Sequence, residues 1–135
     1  MLDEKQFNRV VRASAWYDLV VTMPFATPWT FSILAGVLTG IHAALGLPGT
    51  LPQPDFLTTL FANLMGSVVV VWSLARIHLG LSVLGRYDAA ARFLFAAWQI
   101  NALLDGASWL LLPLLVAELG FGIAQSLPTR AVARP

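Results

Sequence analysis

Cysteine is absent from this 135-residue chain. Its absence excludes disulfides, thiol redox chemistry and cysteine-ligated metal or haem. Charge is nearly as scarce: eight basic and seven acidic residues make up 11 % of the chain, against about 25 % in an ordinary soluble domain. A water-soluble fold of this size would have little polar material with which to cover its surface, a demand that disappears when lipid is the solvent. The net charge of +1 supplies no basic field, so nucleic acid is excluded as a partner. The start, MLDEKQFNRVVRASAWYDL, is mixed in charge and lacks a short apolar core before a small-residue cleavage site. It therefore does not read as a signal peptide, and the first spanning segment is expected to direct insertion.

What remains is apolar: 58 % of residues are hydrophobic and the mean hydropathy is +0.74. The pattern predicts an all-α, polytopic membrane protein, a single integral membrane domain over residues 1–135 with four transmembrane helices in a bundle. The spans fall at about 28–47, 56–76, 87–105 and 107–125, each close to the ~20 residues that cross a bilayer core. Pro28 suits a first helical turn; a start near Asp18 with a kink at Pro24 and Pro28 is the alternative. PGTLPQPD (48–55) and the pair Asp105–Gly106 supply the turns. Residues 3–22 carry Phe7, Val10, Val11, Ser14, Tyr17 and Val21 at three-to-four spacing, which predicts an amphipathic helix lying in the membrane interface. Residues 126–135 form a polar tail.

Charge placement tests the count. Lys5, Arg9, Arg12, Arg76, Arg86, Arg92, Arg130 and Arg134 all fall on the side shared by the termini and the loop of residues 77–86. The opposite turns hold Asp55 and Asp105 instead. Short loops carry their basic residues on the cytoplasmic side, so both termini are expected to be cytoplasmic.

Ionisable groups at membrane depth are costly and point to function or to pairing. Glu118 lies near the middle of the fourth span and cannot snorkel as an arginine can. It needs a partner or a proton, and Arg92 and Arg76 are the candidates for an intramembrane ion pair. Its other readings are a ligand contact, a proton carrier or a subunit contact. A second group, His42, Asn63, Trp98, Asn101 and Asp105, sits toward the opposite end. If all face inward they line a polar cavity for a small polar ligand or a lipid headgroup; otherwise they are ordinary interhelical hydrogen-bonding groups. His42 and His78 lie on opposite sides and cannot share a metal, and no metal-binding motif is present. Gly36 and Gly40 form a GxxxG motif suited to close helix approach. Trp16, Tyr17, Trp29, Tyr87 and Trp109 fit an interfacial aromatic belt. Asp88 and Arg92 form an i,i+4 pair, and the apolar stretch IHLGLSVLG beside them is expected to extend the second helix or lie along the interface.

In size and topology the whole chain broadly resembles the DoxX-type class of small bacterial inner-membrane proteins with four spans. The resemblance rests on architecture and assigns no residue. It implies a bacterial inner-membrane location, and some proteins of this kind accompany quinone or redox partners. The expected role is binding of a small or lipid-like ligand in the bundle, or service as an accessory subunit of a membrane complex, with no cofactor. Lipids, a second copy or another membrane protein are the expected partners. The alternatives are a small oligomeric transporter or channel, and a membrane enzyme using Glu118, Asp105 or His42 on an apolar substrate.

Overall fold

The computed structural model of the chain describes residues 2–130; the rest of the predicted tail, with Arg134, lies outside the described residues. Five α-helices dominate: α1 (Glu4–Thr22), α2 (Pro28–Leu45), α3 (Phe56–Leu79), α4 (Ser82–Leu104) and α5 (Leu112–Ser126). Short 3-10 turns at Met23–Phe25 and Trp109–Leu111 precede α2 and α5. Two-residue strands β1 (Leu2–Asp3) and β2 (Thr129–Arg130) pair in parallel, which brings the two ends of the described chain together. Three segments are long and apolar enough to cross a membrane, Pro28–Leu45, Phe56–Leu79 and Trp109–Ser126, and they mark a membrane protein.

Local chemistry sets the helix limits. Asp3 and Gln6 form a reciprocal capping box at the start of α1. Pro24 ends α1 in the first 3-10 turn, and Pro28 opens α2, where its missing N–H costs nothing. Asp55 caps α3 by accepting the Thr58 N–H at 2.7 Å. Hydrogen bonding from the side chain and backbone of Thr58 holds that carboxyl below the usual carboxylate range. α3 then runs on to Leu79 and stops at Gly80, whose φ of 61° is the left-handed conformation that favours glycine. Only Gly80 and Leu81 separate it from α4. The loop read at residues 77–86 is thus mostly helix, and the helix that contains the third predicted span starts at Ser82 instead of residue 87.

Packing departs further from the hydropathy pattern. α1 packs along α3 and also meets α4 and α5, while α4 packs along α5. Phe7, Val11, Ser14, Ala15, Asp18 and Leu19 of α1 are buried, so one face of this helix is built into the core. Its close approach to α4 is at Gly85, where a Cβ would collide with Val11 and Phe7. The more apolar α2 stands outside, with Phe31 its one buried residue. Trp29, Ile33, Val37, Ile41 and Leu45, one stripe at four-residue spacing, are all exposed. A Cβ at Gly36 or Gly40 would meet nothing within 4 Å, so the GxxxG motif mediates no packing among the described residues. At the end opposite the termini, the loop after α2 is clamped to the loop after α4. Thr50 N–H donates to the Gly106 carbonyl at 2.8 Å, and Ser108 N–H donates to the Thr50 carbonyl at 2.9 Å.

Candidate functional site

Five ionisable side chains meet where α1, α3, α4 and α5 converge. Arg92 on α4 donates from each of its nitrogens to a different acid: Nε to Asp88 at 2.9 Å, Nη1 to Glu118 at 2.9 Å and Nη2 to Asp18 at 2.6 Å. Arg76 on α3 reaches Asp18 through Nη2 and Asp88 through Nη1, the latter at 2.5 Å. Both arginines are buried: Arg76 is 0 % exposed and Arg92 2 %. Such burial is tolerable only because each cation faces several anions, since an unpaired buried charge costs several kcal/mol. With all groups ionised, the three carboxylates exceed the two guanidiniums by one negative charge.

Neutral groups complete the arrangement. Ser14 Oγ of α1 accepts from Arg76 Nη1 at 3.1 Å and Gln125 Nε2 of α5 at 2.6 Å, and donates to the Val11 carbonyl at 2.9 Å. Ser73 Oγ accepts a longer bond, 3.3 Å, from Arg76. Trp72 Nε1 donates to Asp88 Oδ1 at 3.0 Å. The Arg92 guanidinium also lies 5.0 Å from the centre of the Phe121 ring, a cation–π distance. Ser14, Ser73 and Gln125 are fully buried, so the polar network ties together all four helices that share the core.

A cavity of about 540 Å³ opens from this network, within the range of small-molecule sites. Asp18, Asp88, Arg92 and Glu118 form its floor; Val68, Val69, Ala91, Phe95, Leu111 and Leu114 are among its apolar walls. It lies along the seam between α3 and α4, which hardly touch beyond their shared turn. Trp98 lines it while remaining mostly exposed, which places that ring at the rim.

The sequence-derived candidates divide. Glu118 and Arg92 are paired as above, whereas Arg76 pairs with Asp18 and Asp88. The second group is not gathered into one site. His42 Nδ1 shares a 2.8 Å hydrogen bond with Ser108 Oγ. Asn63 Nδ2 donates to the Phe25 carbonyl at 2.8 Å, tying α3 to the turn before α2. Asn101 donates to Asp105 at 3.0 Å on the exposed side of α4. Only Trp98 reaches the cavity. The three acid–base candidates, Glu118, Asp105 and His42, therefore have three different hydrogen-bond partners, Arg92, Asn101 and Ser108. Sequence reasoning missed Asp18, Ser14, Ser73 and Gln125. Their signal was the spacing of polar residues on single helix faces: Ser14 with Asp18, Ser73 with Arg76, Glu118 with Gln125.

Among the described residues, no group of three or more His, Cys, Asp or Glu side chains is arranged to hold a metal ion. Comparison of the chain with protein-family models, with curated proteins and with solved structures returns no match.

Proposed function

We propose that this chain binds a small or lipid-like ligand in the cavity between α3 and α4, as a multi-pass protein of a bacterial inner membrane. The observation that carries the reading is the cavity's division into apolar walls and a charged floor, the form an amphipathic molecule fits. α3 and α4 hardly touch beyond their shared turn, and a ligand passing between them would enter from the lipid.

Four crossings with both ends in the cytoplasm accord with the pairing of β1 and β2, because ends on one side require an even number of passages. α1 and α2, broken at the prolines, together make the first. Lys5, Arg9, Arg12 and Arg86 lie toward the end that holds both termini, while the sequence around the opposite turns is free of Lys and Arg. Four helices around the polar network then form the bundle, and α2 faces lipid or a partner. An accessory-subunit role draws support from that exposed α2 stripe.

Native mass spectrometry of gently extracted protein tests the reading. Wild type is expected to retain a bound non-protein mass that Ala91→Phe, which fills the cavity from its wall, largely removes. Equal retention by both forms would overturn it. The same spectra report oligomeric state and so address the role of α2.

A further inference from the structure

The floor of the cavity is uneven in its hydrogen-bonding capacity. Every nitrogen of Arg92 already donates to a carboxylate, and Arg76 lies behind the floor without lining the cavity. Asp88 has both oxygens engaged, one by Trp72 and the other by Arg76 and Arg92. Asp18 and Glu118 each use one carboxylate oxygen, Oδ2 and Oε2. Their second oxygens accept no hydrogen bond among the described residues, and both residues line the cavity. The cavity lining therefore offers two unengaged carboxylate oxygens, and with every group ionised the three carboxylates exceed the two guanidiniums by one negative charge.

We propose that the ligand is a lipophilic cation whose head carries N–H donors, an alkyl- or arylammonium with an apolar tail. This rests on the reading of the cavity as a ligand site and specifies its chemistry. An ammonium head supplies donors to Asp18 Oδ1 and Glu118 Oε1 and cancels the surplus charge, forming charge-assisted hydrogen bonds in a low-dielectric setting. Trp72, Phe95 and Trp98 line the cavity and supply aromatic rings with which the same cation can interact. A carboxylate or phosphate head would add to the surplus of negative charge, facing three acids and an Arg92 whose every nitrogen already serves a carboxylate. A neutral hydroxyl satisfies the oxygens but leaves the charge.

The test compares dodecylammonium, dodecanol and dodecanoate, which share one tail, by tryptophan fluorescence titration of the protein in lipid nanodiscs. Ala91→Phe supplies the background of partitioning into lipid. Dodecylammonium is expected to bind wild type at least about tenfold more tightly than dodecanol, with dodecanoate weakest. Glu118→Gln should weaken the ammonium about tenfold and leave dodecanol nearly unchanged. The order of the three heads on wild type needs no variant, so it decides even if Glu118→Gln fails to fold. Equal binding of all three, lost in Ala91→Phe, would overturn the cationic head and keep the cavity as a ligand site. Binding of none above the Ala91→Phe background would overturn both.

Discussion

Replacing Arg92 with methionine is the sharpest perturbation of the polar core. Methionine fills similar space with a flexible apolar chain, so the change removes charge and donors more than volume. Three charge-assisted bonds disappear together, to Asp18, Asp88 and Glu118. Glu118 loses its one ion-pair partner, while Asp18 and Asp88 still hold Arg76. Three carboxylates then face one guanidinium, and the surplus rises from one negative charge to two. Removing one partner of a buried pair costs about 3–5 kcal/mol, a large share of the roughly 5–15 kcal/mol that stabilises a typical domain. Glu118→Gln alone behaves differently. Its amide oxygen can still accept from Arg92 and the surplus charge is cancelled, so the cost is about 1 kcal/mol. The double variant returns the surplus to one charge and removes the stranded acid. It should be less damaged than the two single costs summed, by about 1–3 kcal/mol. Unfolding by SDS in mixed micelles, read by tryptophan fluorescence, measures all four proteins, and Trp72, bonded to Asp88, lies within the network. An Arg92→Met midpoint equal to wild type, or strict additivity in the double variant, would refute the claim that Glu118 depends on Arg92.

Other outcomes follow from packing and topology. Gly85→Ala should destabilise by about 1–3 kcal/mol, because its Cβ meets Val11 and Phe7 across the α1–α4 contact. Gly36→Ala and Gly40→Ala, with open space around them, should be neutral or raise the same SDS midpoint; a loss there would show that the GxxxG face is packed in the membrane. Because the native chain has no cysteine, single thiols report sidedness cleanly. Gln53→Cys should react with an impermeant maleimide from outside intact cells and Lys5→Cys only after permeabilisation, and the reverse pattern would invert the proposed orientation.

The helical class and the apolar segments were legible because they depend on runs of like residues. So was the need of Glu118 for a partner or a proton, since an acid at that depth has no route to water. The identity of its neighbours was not legible from depth alone. Arg76 and Arg92, placed near span ends, looked able to snorkel outward, yet both are buried against acids brought from other helices. Asp18 was hidden for a related reason. It follows a segment whose Lys5, Arg9 and Arg12 make α1 look like a surface helix, and its partners are 58 and 74 residues away in sequence. A charge tally restricted to the spans would have exposed it: two arginines at depth require more carboxylates than Glu118 and Asp88 supply once each cation must satisfy several donors.

That tally also explains why α1, and not the more apolar α2, closes the core. In water the most apolar helix is driven inside; in lipid, where tails are as apolar as leucine, that force vanishes and polar contacts and close packing select neighbours. α2 has no acid to offer a guanidinium, whereas α1 brings Asp18 and Ser14 on one face. The same selection creates the cavity. Consecutive helices joined by two residues would ordinarily pack together along their length. Here Trp72, Arg76, Asp88 and Arg92 fill the space between α3 and α4 with a bonded network. Past that level the remaining wall residues, Val68, Val69, Ala91 and Phe95, do not fill the gap. The charged floor thus acts as the spacer that holds the apolar chamber open. Disrupting the network should close the seam and lose the chamber, even where the helices themselves survive.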